Sequence, residues 1–110
     1  MQDKRSHKEL ADAVRAYLDA RMDRRWTLRQ LSEIFQVSGT LIKSSYRATF
    51  GESLYADTRA RKMQSAARTL RETELSVLEI AYLHGYENAS KFAAAFRSVM
   101  GTTPLLYRKG

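Results

Sequence analysis

Apolar residues recur along this chain at helical spacing. Leu10, Val14, Tyr17 and Leu18 stand at i, i+4, i+7 and i+8, which puts them on one helix face. Thr27-Leu28-Arg29-Gln30 has the form of a capping box, in which the Thr hydroxyl accepts from the Gln30 backbone N–H and the Gln side chain reaches back. Leu28, Leu31, Ile34 and Phe35 then supply the apolar face of a short helix. Ser38 is placed to cap the next helix, with Val37 and Ile42 spaced as a hydrophobic staple across the cap. That helix turns Leu41, Ile42 and Tyr46 inward and stops near Gly51. A longer helical segment over about 54–71 carries Met63, Ala66, Ala67 and Leu70 on one face. Ser76-Val77-Leu78-Glu79 is a second capping box, opening a helix with Val77, Ile80 and Ala81 that Gly85-Tyr86 breaks. Asn88 caps a helix bearing Phe92, Phe96 and Met100; Gly101 ends it, and Pro104 keeps it from resuming. No stretch alternates with period two well enough to predict a strand.

The pattern occurs twice. Thr27-x-x-Gln30-Leu31 matches Ser76-x-x-Glu79-Ile80 at an offset of 49, and Tyr46-Arg47-x3-Gly51-x-Ser53 matches Phe96-Arg97-x3-Gly101-x-Thr103 at an offset of 50. One residue is inserted between them, near Glu87. A capping box, a short helix, a tight turn, a capped second helix and then Gly make a helix-turn-helix unit, whose second helix is the one that enters a major groove. A plain helical bundle with duplicated hairpins is the alternative.

Charge sharpens the choice. The chain has 110 residues, a net charge of +7 and no cysteine. Residues 1–38 carry a net +2, residues 39–71 a net +5 and residues 72–110 none. The excess gathers around Lys43, Arg47, Arg59, Arg61, Lys62, Arg68 and Arg71, and reads as a phosphate-facing strip or as a solvated helix face. A basic chain favours polyanions, nucleic acid first and anionic membrane second. Without Cys there are no disulfides, thiolate zinc sites or cysteine nucleophiles, which fits a reducing compartment. No apolar run approaches the roughly 20 residues that span a bilayer, and the charged start has no apolar signal-peptide region.

The segment Ile80-Ala81-x3-Gly85-Tyr86-x5-Phe92-x3-Phe96-Arg97-x3-Gly101-x-Thr103-Pro104-x2-Tyr107-Arg108 resembles the signature of AraC/XylS-type transcription regulators. Leu31-x2-Ile34, Ser38, Ile42, Tyr46-Arg47-x3-Gly51 and Arg61-Lys62-Met63-x2-Ala66 resemble it as well, so the likeness covers nearly the whole chain. It implies an all-α DNA-binding domain over 1–110 with about seven helices. The first helix-turn-helix unit spans about 27–51, a long central helix about 54–71, and the second unit about 76–101. It also implies two reading helices in successive major grooves on one face of the duplex, about 34 Å apart. The chain departs from the family pattern in places. Gln36 stands where the first turn usually has Gly, and costs about 1 kcal/mol if that turn needs positive φ. Ser44 and Ala94 replace residues that are often basic or polar. Asp57 and Thr58 stand where the family tends to be aromatic and aliphatic, a gap that Tyr55 is expected to fill in part.

The outward positions of the first reading helix are Gly39, Thr40, Lys43, Ser44 and Arg47. Lys43 can donate to guanine O6 or N7, and the Thr40 methyl can meet a thymine methyl. In the second helix they are Asn88, Ala89, Ser90, Lys91 and Ala94, with Lys91 the best candidate for direct readout. Base readout is thus assigned to Thr40, Lys43, Ser44, Ser90 and Lys91. Phosphate contact is assigned to Ser38, Gly39, Arg47, Asn88 and Arg97. Gly39 beside its cap allows close approach to a phosphate, or else is a first-turn residue with no such role. The second unit is poor in base-reading chemistry, so the first is expected to give more of the sequence discrimination.

Catalytic chemistry finds little to stand on. His7 reads as part of a frayed terminus. His84 sits at a helix end where a partly protonated imidazole favours the dipole. Two isolated histidines without Cys make no zinc site. Glu72 and Glu74 read as solvated loop residues, Trp26 as packed between the first two helices, and Tyr82, Tyr86 and Tyr107 as core and rim. The expectation is a cytoplasmic regulator without enzymatic activity, cofactor, metal or membrane contact. Its partner is double-stranded DNA. RNA polymerase is a further candidate partner. The resemblance implies a separate effector or dimerisation domain for which this chain has no room, so the chain is either a one-domain regulator or, the preferred reading, a fragment whose polar stretch Gln2–Lys8 is a linker. The alternatives are a helical protein-interaction adaptor, insensitive to duplex, and a non-specific nucleic-acid binder, steeply salt-dependent without sequence preference.

Overall fold

The computed structural model describes residues 4–110, with side chains from His7 onward. Among these described residues there are seven helices and no strand: α1 (Lys4–Asp19), α2 (Leu28–Phe35), α3 (Gly39–Phe50), α4 (Leu54–Glu72), α5 (Val77–Leu83), α6 (Ala89–Met100) and α7 (Pro104–Lys109). They divide into two compact units, one holding the chain through Arg21 with Arg25–Thr58, the other Met22–Arg24 with Arg59–Gly110. Helix α4 begins in the first and has most of its length in the second.

In the first unit the capping box forms as its residues require. The Thr27 hydroxyl accepts from the Gln30 N–H at 3.1 Å, and Gln30 Oε1 accepts from the Thr27 N–H at 2.9 Å. Gln36 ends α2 with φ 57°, the left-handed conformation that a turn this tight demands, and its Nε2 donates to the Glu33 carbonyl at 2.7 Å. Ala11, Val14 and Leu18 of α1 bury against Leu31, Ile42, Tyr46 and Leu54, with Leu28, Phe35, Val37 and Phe50 partly covered around them. Ile34, expected on the buried stripe of α2, is 47% exposed instead, because Leu31 alone of that helix reaches the closed interior. Trp26 lies against this core too, and its ring stacks on Tyr55 of α4 at 5.1 Å and 16°. Tyr55 is about half exposed and fills no interior gap.

The second unit closes on aromatic rings. Met63, Ala66, Ala67 and Leu70 of α4 meet Ile80 and Ala81 of α5 and Phe92 and Phe96 of α6. Tyr86 and Tyr107 flank them edge-on, 5.7 Å from Phe92 and 5.4 Å from Phe96, whereas Tyr82 is exposed. Its capping box repeats the first, Glu79 accepting from the Ser76 N–H at 2.9 Å and Ser76 from the Glu79 N–H at 3.1 Å. Those bonds hold the Glu79 carboxyl below its ordinary value. Gly101 ends α6 with φ 80°, and Pro104, expected only to keep that helix from resuming, opens α7: its missing N–H is no loss at a first helical position, and the Thr103 hydroxyl caps the turn. Arg108 of α7 then donates to the Leu70 and Thr73 carbonyls at 3.0 and 3.3 Å, satisfying groups that the end of α4 leaves open.

Three further expectations are corrected. His84 is 4% exposed, with Nδ1 2.8 Å from the Ile80 carbonyl and Nε2 3.2 Å from the Ser65 hydroxyl. A carbonyl only accepts, so Nδ1 carries the proton and Nε2 accepts. Burial lowers its pKa, against the Ile80 bond and with the help of Lys62 and Arg68, so the ring is neutral rather than partly protonated. The polar start is no extended linker from Lys4 onward, where α1 has begun, and His7 lies within that helix; Gln2 and Asp3 lie outside the described residues.

Candidate nucleic-acid interface

Helix α3 separates two faces. Ile42, Ser45 and Tyr46 are buried, while Thr40, Lys43, Ser44 and Arg47 are exposed. At about 100° per residue the four exposed positions share one face roughly a quarter-turn wide. The Ser38 hydroxyl caps the helix by accepting from the Leu41 N–H at 3.1 Å. Gly39 is half-buried, and a Cβ there would come within 2.7 Å of the Leu28 side chain. Packing against α2 therefore supplies a reason for glycine that the sequence did not reveal. Ser44 is exposed, but its hydroxyl donates to the Leu41 carbonyl of its own helix at 3.2 Å and faces outward mainly as an acceptor.

Helix α6 repeats the division with different chemistry. Phe92 and Phe96 are buried; Asn88, Ser90, Lys91, Ala94 and Arg97 are exposed. Asn88 Oδ1 accepts from the Lys91 N–H at 2.8 Å, so its acceptor is engaged as a cap. The offset of 50 pairs Thr40 with Ser90, Ser44 with Ala94 and Arg47 with Arg97, but Lys43 with Ala93 and Lys91 with Leu41. The two lysines thus flank the equivalent faces on opposite sides. Both arginines lie in a last turn, where a cation also favours the helix dipole.

Every residue assigned to base or phosphate contact is therefore on α3, on α6 or at one of their caps, and all but the half-buried Gly39 are exposed. The sequence reading missed Arg15 and Asp57, which hold α3 from behind. The Arg15 guanidinium donates to Asp57 at 2.9 Å and to the Tyr46 hydroxyl at 3.3 Å, and Tyr46 donates to Asp57. For Arg15 the available signal was a charge set between Ala11 and Leu18 on an apolar helix face; for Asp57 it was only Leu54 three positions earlier, since Thr58 and Arg61 share that face.

A family described as helix-turn-helix domain matches residues 31–110. The C-terminal domain of AraT, a response regulator from Geobacillus stearothermophilus, superposes with a TM-score of 0.88 at 29% identity, over 91% of this chain and 84% of that one. A Streptomyces lividans protein described as an AraC-like transcription regulator is 33% identical over 86 residues, which is 78% of this chain and 28% of the relative. The chain belongs to the AraC-type helix-turn-helix family. The DNA-binding domain of AdpA, solved with a target DNA, shares the AraC-type fold at a TM-score of 0.83 and 20% identity, over 90% of this chain and 89% of that one. The chain spans under a third of the length of most of the curated relatives it matches, and 53% of one of them, a probable transcription factor from Proteus vulgaris. AraC-type domains serve sequence-specific DNA binding in transcription regulation. Among the described residues no helix is long and apolar enough to cross a membrane.

Proposed function

We propose that residues 1–110 act as one DNA-reading domain, with α3 and α6 in successive major grooves of a bacterial operator. The observation that carries the reading is the duplicated, capped helix with a buried apolar side and an exposed polar side, set in a chain of net charge +7. Lys43 and Thr40 read bases in the first half-site, with Ser44 as an acceptor; Lys91 and Ser90 read the second. Arg47 and Arg97 bind phosphates, and the capped ends at Ser38, Gly39 and Asn88 offer backbone N–H groups to phosphates as well. At the base-reading positions the first helix carries three polar side chains, Thr40, Lys43 and Ser44, and the second two, Ser90 and Lys91, so the first gives more of the discrimination.

The length of the relatives supports an effector or dimerisation domain elsewhere in the whole protein; RNA polymerase as a further partner and the cytoplasm as the setting are proposed as consequences of the regulator reading alone. Selection of bound duplexes from a random pool, then titration of the winner against scrambled DNA at two salt concentrations, tests the reading. Two motifs about one helical turn apart, each weakened by Lys43→Ala or Lys91→Ala, are expected. Tight binding with no enriched sequence would leave a non-specific binder, and no binding at low salt would leave a protein adaptor.

A further inference from the structure

The polar cluster behind α3 does something that packing alone does not. Arg15 follows the buried Val14 on α1, and its guanidinium lies 3.4 Å from the centroid of the Phe50 ring while bonded to Asp57 and Tyr46. Tyr46 is 1% exposed and Asp57 6%, whereas a quarter of the Arg15 side chain reaches solvent. Burial pushes the Tyr46 hydroxyl up to about 12, so it stays a donor to Asp57 at any ordinary pH. Arg15 itself keeps its charge: burial works against it, and its bonds to Tyr46 and Asp57 outweigh that cost. Three helices, α1, α3 and α4, thereby meet in one directional network at the residue that precedes Arg47.

We infer that Arg15 and Asp57 are positioning residues that fix the rotation of α3 about its axis and so set the base preference of its outward face. Apolar contact is non-directional and tolerates small rotations, whereas a forked guanidinium shared by a phenol and a carboxylate has one good geometry. A rotation of α3 moves Lys43 and Thr40 relative to base edges, and hydrogen-bond readout is lost over fractions of an ångström. The second unit supplies the contrast: at the positions matching Tyr46 and Asp57 it has Phe96 and Tyr107, an edge-on ring pair 5.4 Å apart with no ion pair. Arg15, on α1, lies outside the segment 31–110 that the family matches, whereas Tyr46 and Asp57 lie within it.

The inference rests on α3 reading DNA, and the experiment separates the two. The whole chain is compared with Lys43→Ala and with the triple variant Arg15→Met/Tyr46→Phe/Asp57→Leu, which replaces the cluster by apolar groups of similar volume. Such exchanges tend to leave stability level or raised. The expected result is a thermal midpoint unchanged or higher and about a tenfold loss of preference at the first half-site, with the second half-site and the affinity for scrambled duplex unchanged. Full preference in a folded triple variant overturns the inference. Lys43→Ala without effect on the first half-site removes the reading of α3, and this inference with it. Arg15→Lys decides the matter if the triple variant does not fold. A lysine can hold Asp57 but cannot also serve Tyr46 and cover Phe50, so part of the preference should go. Preference fully kept by that variant overturns the inference as well.

Discussion

The two units solve one packing problem with different chemistry. In each, a ring on the second helix of the helix-turn-helix must meet the helix that follows. The first unit joins Tyr46 to Asp57 and brings in Arg15; the second sets Phe96 edge-on to Tyr107. The turn between the paired helices differs in the same spirit. Gln36 and Gly85 occupy matching positions and both have positive φ, 57° and 80°. At Gly85 a Cβ would stand 3.3 Å from the Arg24 backbone, whereas Gln36 projects into solvent and bonds back to Glu33. A duplicated sequence pattern thus keeps the backbone conformation and lets the local surroundings choose the side chain. Directional polar contacts hold one reading helix, and ring packing holds the other.

The comparison can be broken first at the rings. Phe96→Ala empties a fully buried site and should cost about 3–5 kcal/mol in chemical denaturation; a loss below about 1 kcal/mol would mean that the second core does not close on that ring. Asp57→Ala leaves Arg15 and the Tyr46 hydroxyl without their shared acceptor. It should cost about 2–3 kcal/mol, less than for a fully buried pair because Arg15 reaches solvent, and the lone Trp26 reports it by fluorescence within the first unit. Gly85→Ala should cost about 1–2 kcal/mol from strain and crowding together. Gln36→Gly should gain no more than about 0.5 kcal/mol, since relief of the strained φ is offset by the lost bond to Glu33 and a freer unfolded chain. Equal and opposite effects at these two turns would show that φ alone matters there.

The mildest test changes only pH. The folded chain prefers neutral His84, while the unfolded chain titrates near the ordinary value of 6.5. That stability is fully present above 6.5 and is lost as pH falls through this value toward the lower folded one. Thermal midpoints measured across that window should fall on the acid side, and His84→Asn should flatten the slope if the buried ring is its source.

Much of the fold was legible because its signals are local. Capping boxes, apolar faces and the glycine stops are decided within a few residues, and the structure has them at Thr27, Ser76, Gly51 and Gly101. Helix α7 was missed from spacing alone because Pro104 was read only as a stop, when Thr-Pro also starts a helix. The outward faces were legible for the same reason as the inward ones: Ile42, Tyr46, Phe92 and Phe96 fix which side is buried.

By itself the sequence determined the helices, their caps, the repeat and the faces of α3 and α6, since periodicity and hydrogen bonding to neighbours along the chain set all of these. Only the tertiary structure decided that Asp57 is a buried acceptor, that His84 is a neutral interior ring, that Gly39 makes room for Leu28 and that Tyr55 lies on Trp26. Each of those depends on a partner between 11 and 42 residues away in the chain, and a charge, a ring or a missing Cβ takes its meaning from whichever group folding brings against it.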